Sequence, residues 1–290
     1  MHVLILGAGY SGKAIAKELF SQAASVTGTT RSAEKLVELA GLGIDALLYD
    51  GQDISAELAA AMARSTHLIQ SIAPGRDGDP ITRLGVDRMH ELMPALEWVG
   101  YLSTVGVYGD HKGGWVDEES PCKPVSLRSR ERVEAEAAWT RFGEKAGIPV
   151  GILRLAGIYG PGRNTFRNLA EGTAKRLIKA DQVFNRIRVE DIAGATGLLI
   201  AQKAGGIFNI TDNEPAPPQD LVTLAAEMMG VQPPQELAFE NAELTPMARS
   251  FYGENKRVSN GKLRATGYEM RFADYRASLS DLWRNDNWRG

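Results

Sequence analysis

Cysteine is almost missing from this chain: Cys122 is the only one in 290 residues. An internal disulfide is thereby excluded, and the reading that follows is a reducing, cytoplasmic setting. Histidine is scarce as well. His2, His67, His90 and His111 are scattered without the spacing of metal ligands, so no metal site is expected. No apolar run approaches the ~18 residues that span a bilayer. Residues Met1 to Gly7 open directly on a strand pattern, so neither membrane span nor signal peptide is expected. Charge of one sign is lacking too. Lys and Arg number 33 against 36 Asp and Glu, a net charge of -3, which gives nucleic acid no electrostatic footprint. Repeats and low-complexity tracts are absent.

What is present is strand and helix in alternation. Val3 to Leu6 is a short apolar run closed by glycine, which reads as a buried strand. Ile15, Ala16, Leu19 and Phe20 follow at helical spacing. Further strands are expected at Ser25 to Thr29, Ala46 to Tyr49, His67 to Gln70, Val99 to Ser103, Val150 to Leu155 and Gly206 to Ile210. Helices are expected at Arg31 to Ala40, Ser55 to Ala63, Thr82 to Met93 and Ser126 to Lys145. Such alternation predicts parallel βαβ units in an α/β, Rossmann-type doubly wound sheet. We expect a dinucleotide-binding domain over residues 1–160, which also receives about 189–212. Residues 161–290, with proline-rich breaks and less regular patterning, would form mainly a smaller substrate-side domain.

Gly7-Ala8-Gly9-Tyr10-Ser11-Gly12 is G-x-G-x-x-G, directly after the first strand and opening the first helix. Gly7 permits the tight turn, Gly9 lets backbone approach a pyrophosphate, and Gly12 lets helix and strand pack closely. The helix N-terminus, with Tyr10 and Ser11, then offers free N–H groups to the anion. About twenty residues on, an NAD site would present a carboxylate to the ribose. The chain presents Thr29, Thr30 and Arg31 instead. A guanidinium with flanking hydroxyls suits a 2′-phosphate, so NADP is expected as cofactor, with NAD the alternative. Ser71, just after the fourth strand, completes the expected cofactor-binding set.

Five segments together resemble the extended short-chain dehydrogenase/reductase family, the group of the NAD-dependent epimerases and dehydratases. They are the Gly7 loop, Ser103 to Gly109, Arg154 to Gly162, Ile187 to Ala193 and Phe208 to Asp212, in family order over most of the chain. The resemblance implies an NAD(P)-binding fold acting on a small polar or nucleotide-linked substrate. It places Thr104 where the Ser/Thr that bonds the substrate oxygen belongs. Tyr159 would border nicotinamide and substrate, and Asp191 would play a structural role. Family habit implies a homodimer through helices near Met89 and Val133.

One departure stands out. Pro124 to Glu136 aligns with P-x-x-x-Y-x-x-x-K-x-x-x-E, but Arg128 stands at the Tyr and Arg132 at the Lys, an atypical branch. Arg does not donate a proton at neutral pH. Tyr108 and Lys112 also spell Y-x-x-x-K, but a glycine rather than a helix follows Tyr108. Arg128, Arg132 and Glu136 fall at i, i+4 and i+8. They form either a solvated face with an Arg132–Glu136 ion pair, or a cleft-lining face on which Arg128, joined by Arg163 and Arg186, binds an anionic substrate group. Thr104, Arg128, Arg132 and Tyr159 are therefore the candidate catalytic residues, the acid/base being Thr104 through water or Tyr159. The functional expectation is an atypical NADP-dependent oxidoreductase or epimerase. The alternative is a dinucleotide-binding sensor or scaffold without turnover.

Overall fold

The computed structural model describes residues 1–290, the side chain of Met247 aside. In chain order the main elements are β1 (His2–Leu6), α1 (Tyr10–Leu19), β2 (Ser25–Thr30), α2 (Glu34–Gly41), β3 (Asp45–Leu48), α3 (Ala56–Arg64), β4 (His67–Gln70), α4 (Val86–Leu92), β5 (Trp98–Thr104) and β6 (Trp115–Val116). Then follow α5 (Leu127–Ala146), β7 (Val150–Leu155), β8 (Gly157–Tyr159), α6 (Thr165–Ala170), β9 (Arg176–Ile178), β10 (Arg186–Arg188), α7 (Val189–Ala201) and β11 (Gly206–Ile210). The C-terminal part holds α8 (Pro218–Met229), β12 (Glu236–Ala238), α9 (Pro246–Phe251), β13 (Arg257–Val258), α10 (Gly261–Ala265) and α11 (Tyr275–Arg284). Among the described residues no helix is long and apolar enough to cross a membrane.

The seven-stranded sheet has the order β11-β7-β5-β4-β1-β2-β3. The pairs from β3 through β7 run parallel, the order of a doubly wound α/β fold. The expected fold class is borne out. Strand alternation sorts its two faces. Leu4 and Leu6 of β1, Leu68 of β4, Val99 and Tyr101 of β5 and Ile152 of β7 point to one core, which α3, α4 and α5 cover with Leu58, Met62, Met89, Trp139 and Phe142.

Two helix starts differ from the sequence reading by more than one residue. The helix expected over Thr82 to Met93 is broken: a 3-10 turn covers Thr82–Leu84 and α4 starts at Val86. Gly85 between them has φ +83°, a region that favours glycine and turns the chain out of the helix. The helix expected from Arg31 starts at Glu34, because the Thr30 hydroxyl accepts from the Ser32 N–H (3.2 Å) and holds a non-helical turn there.

The chain divides into two compact units. The first comprises residues 1–107, 126–155 and 192–208; the second comprises 108–125, 156–191 and 209–290. Two segments that precede residue 160 in the chain, 108–125 and 156–160, thus belong to the second unit. That unit has its own apolar cluster, with Phe166, Leu221, Tyr275, Leu279, Leu282 and Trp288 at its centre. Its strands are short parallel pairs, β8 with β10, β9 with β12 and β6 with β13.

Candidate functional site

The glycine loop is built from three strand ends of the first unit. Gly7 has φ +85°, and a side chain on it would meet the Ile72 backbone at 3.2 Å. Its N–H donates to Thr29 Oγ1 (2.9 Å) and the Ala8 N–H donates to the Thr29 carbonyl (2.8 Å). Thr29, expected to touch cofactor, is buried, and its hydroxyl oxygen braces the loop. Gly28, unremarked in the sequence, has a packing role: a Cβ there would lie 2.9 Å from Ala8 and 2.7 Å from Ile44. Its strand position among Thr27 and Thr29 was the available signal, since a glycine inside a strand marks close backbone approach. The Ser71 N–H donates to the Leu6 carbonyl (2.9 Å), which brings Ser71 beside the loop.

α1 begins with Gly9 as its N-cap, with no side-chain cap and no acidic residue in its first turn. A helix start of this kind offers N–H groups, here those of Ser11 and Gly12, to an anion. A Cβ built on Gly12 would press the Gly7 carbonyl and Ile5 at 3.1 Å, whereas no protein atom lies within 4 Å of a Cβ on Gly9. Gly12 is thus a packing glycine, and Gly9 borders open space. Thr30 ends β2 and Arg31 follows it; Arg31 is exposed. The nearby Glu38 carboxylate is held by Lys13 (2.5 Å), whose ammonium keeps it below the ordinary range.

The loop after β4 is organised by a pair the sequence reading missed. Buried Gln70 donates through Nε2 to Asp79 Oδ2 (2.8 Å), and Asp79 Oδ1 accepts from the Ile81 and Thr82 N–H groups (2.9 and 3.0 Å). A glutamine closing the apolar run His67-Leu68-Ile69 was the only sequence hint.

Thr104 ends β5, half-buried, and its Oγ1 accepts from the Gly106 N–H (3.1 Å). Its own hydroxyl hydrogen stays available for another acceptor. A side chain on Gly106 would meet Ser129 Oγ at 3.1 Å and Thr104 Oγ1 at 3.4 Å, so α5 approaches this strand end at Ser129. At ~100° per residue, Glu136 lies only about 20° around the helix from Ser129, Arg132 about 60° and Arg128 about 100°. The arginine stripe therefore does not act as one face. Glu136 is buried, Arg132 is half-buried and Arg128 is exposed.

The expected Arg132–Glu136 ion pair does not form. Glu136 accepts from Arg154 Nη2 (2.7 Å) and Ser103 Oγ (2.5 Å), a buried cluster tying α5 to β7 and β5. The partners come from neighbouring strands, which spacing along one helix does not reveal. Arg132 instead donates to the Leu102 carbonyl and packs its guanidinium 5.8 Å from the centre of the Tyr101 ring.

In the second unit, Tyr108 is fully buried and its hydroxyl donates to Asn209 Oδ1 (2.7 Å), so it is not an alternative acid. Asp191 accepts from the Tyr268 hydroxyl (2.8 Å) and from the Arg271 and Phe272 N–H groups (2.7 and 3.0 Å), a structural role. Tyr159 lies in β8, 8% exposed, and burial pushes its phenol well above the ordinary range. It is suited to donating a hydrogen bond and poorly suited to releasing a proton. In-register pairing sets β8 against β10, Arg186 opposite Gly157 and Arg188 opposite Tyr159. Arg163 is exposed, whereas Arg186 is buried.

The chain is similar to several known proteins. A conserved protein of unknown function from Silicibacter pomeroyi DSS has 40% identity and a TM-score of 0.88, covering 98% of both chains. Protein YeeZ from Escherichia coli K12 is 31% identical over 249 residues, 80% of this chain and 85% of its own. The human epimerase family protein SDR39U1, solved with NADPH, shares the fold at 18% identity and a TM-score of 0.73, covering 98% of this chain and all of its own (100%). The model of the NAD dependent epimerase/dehydratase family matches residues 3–211, and with those strands, that glycine loop and Thr104 in place the chain belongs to that family.

Proposed function

We propose that this chain binds a nicotinamide dinucleotide, NADP in preference to NAD, and works as an oxidoreductase or epimerase on a small polar substrate. The observation that carries the reading is the open space over Gly9 at the uncapped start of α1. The family description and the NADPH held by the human relative support the same cofactor class. Gly7, Gly9, Tyr10, Ser11 and Gly12 would hold the pyrophosphate, with Ser71 alongside, while Thr30 and Arg31 would meet the ribose end and Thr29 braces the loop from beneath. The bound cofactor supplies hydride transfer.

Thr104 is the hydroxyl we assign to the substrate oxygen, since it accepts from backbone and keeps its hydrogen to donate. Arg132 fixes α5 against β5 through the Leu102 carbonyl. Arg128 supplies exposed positive charge at the start of α5, suited to an anionic group on a substrate. A second reading, a dinucleotide-binding sensor without turnover, is favoured by the arginines at 128 and 132. Mixing the protein with NADPH and a panel of carbonyl compounds and sugar nucleotides separates the two. Loss of nicotinamide absorbance supports the enzyme; tight binding with no consumption across the panel supports the sensor.

Gly9→Val tests the cofactor loop. Gly9 has a negative φ (-80°), outside the left-handed region, and open space around it, so the fold should survive. The added methyls would occupy the space a pyrophosphate needs. NADPH fluorescence titration should show no binding, with an unchanged circular dichroism spectrum; unaltered affinity would sink the assignment. Arg31→Ala tests the preference. It should weaken NADPH by ~1.5–3 kcal/mol, the scale of a hydrogen bond to a charged group, and hardly affect NADH. Equal affinity of the parent protein for both cofactors would contradict it.

A further inference from the structure

The loop after β4 presents a cation that the protein itself does not use. Residues Ile72 to Asp79 leave and return to the strand end beside the glycine loop. Gln70, opposite Leu6 of β1, grips both legs: its Oε1 accepts from the Ile72 N–H (3.4 Å) and its Nε2 donates to Asp79 Oδ2 (2.8 Å). Ile72 is also the residue that a side chain on Gly7 would strike. Beyond this base, Gly75 and Gly78 exchange both backbone hydrogen bonds (3.1 and 2.9 Å), which closes a turn with Arg76 and Asp77 at its tip. Gly78 has φ +84°, the left-handed region that glycine enters without strain. Pro74 and Pro80 are buried at the foot of the hairpin. Apart from chain neighbours, no atom lies within 4 Å of a Cβ built on Gly75 or Gly78, so the tip stands clear. Arg76 is exposed, and among the described residues no carboxylate, hydroxyl, carbonyl or ring engages its guanidinium.

We propose that Arg76 is a second cofactor-binding arginine, whose guanidinium takes the pyrophosphate at the start of α1. The proposal rests on the dinucleotide reading above. Position, charge and rigidity support it. Arg76 is four residues from Ile72, at most about 14 Å of extended chain, and Ile72 borders Gly7. A pyrophosphate diester carries a negative charge on each phosphate, whereas a helix N-terminus offers roughly half a positive one. Lys13 of α1 is engaged by Glu38, and Arg31 is assigned to the ribose end. A planar fork that stays charged and has no partner in the protein fits the remainder. The gripped base and bridged neck hold the hairpin in place before a ligand arrives, so little freedom is lost in binding. All of these residues lie in the first unit.

Titration of the full chain tests this, by fluorescence with NADPH and NADH and by calorimetry with ADP-ribose and adenosine 2′-monophosphate. ADP-ribose carries the pyrophosphate without a 2′-phosphate, and adenosine 2′-monophosphate carries the reverse. Arg76→Ala should weaken NADPH, NADH and ADP-ribose alike, by at least ~tenfold, the scale of a hydrogen bond to a charged group. It should leave adenosine 2′-monophosphate unaffected. Arg31→Ala should show the converse pattern, which tells the two arginines apart. Arg76→Lys keeps the charge and loses the fork, so its affinities should fall between those of the parent and of Arg76→Ala. Asp77→Asn changes the charge of the tip but not the fork, and should alter NADPH affinity less than Arg76→Ala does. Both positions are exposed, so circular dichroism and the thermal midpoint should not change. A loss confined to ligands with a 2′-phosphate, or a gain in Asp77→Asn as large as the loss in Arg76→Ala, overturns the proposal. If the parent binds neither dinucleotide, the cofactor reading fails and the proposal with it. If the parent binds both and Arg76→Ala binds them equally well, the role of Arg76 alone is refuted.

Discussion

Replacing Glu136 with alanine is expected to cost ~3–5 kcal/mol of stability, the loss seen when one partner of a buried pair is removed. Glu136 is 6% exposed and Arg154 3%. Two guanidinium nitrogens, Nη2 at 2.7 Å and Nε at 3.1 Å, and the Ser103 hydroxyl all end on this carboxylate. Without it Arg154 loses the carboxylate that neutralises its charge in the core. Glu136→Gln keeps the volume and the bond to Ser103 but not the neutralisation, so a smaller loss is expected. Glu136→Ala combined with Arg154→Leu should lose less than the two singles summed, because the stranded charge goes too. Urea unfolding of the four proteins measures this, and a loss below ~1 kcal/mol for Glu136→Ala would refute the account. Function should suffer as well. Ser103 immediately precedes Thr104, and Glu136 shares its side of α5 with Ser129, so the cluster positions the strand end that presents the Thr104 hydroxyl.

Asp212→Asn should do the opposite at alkaline pH and stabilise the protein. The folded carboxyl titrates near about 8, above its ordinary 3.8, because burial disfavours its charge. Below the ordinary value both states hold the proton and stability does not depend on pH. From there up to about 8 the folded state keeps a proton the unfolded chain has released. Stability then falls by about 1.4 kcal/mol per pH unit and levels off above. The asparagine carries no such proton. Its stability relative to the parent should therefore climb between about pH 4 and 8 and end a few kcal/mol ahead. Other buried groups shift as well: Asp191 upward and His67 downward, both through burial. They are common to both proteins and cancel in the difference. Parallel urea midpoints from pH 4 to 9 would show that Asp212 does not titrate as argued.

The sequence by itself determined the sheet, the glycine loop and the family. Each rests on local information: four to seven apolar residues make a strand, glycines at fixed intervals make a phosphate turn, and the order of five segments identifies the family. Helix boundaries were legible except where a single backbone choice decided them, at Gly85 and at the turn held by Thr30. Thr104 ends β5 and Ser71 follows β4. Only the tertiary structure decided what the polar residues do. Spacing along α5 put Arg128, Arg132 and Glu136 on one stripe, yet their partners lie on other strands. Arg154 of β7 takes Glu136, the Leu102 carbonyl takes Arg132, and Arg128 stays exposed. Thr29 turned from ligand contact to brace because the loop's own N–H groups reached it first. Arg186 and Asp212, 26 residues apart in the chain, became one cluster through the return of the chain after β11. Hydrophobic periodicity is written along a segment, so it can be read there. A buried charge is decided by whichever segment folds against it, and burial sets both its partner and its proton.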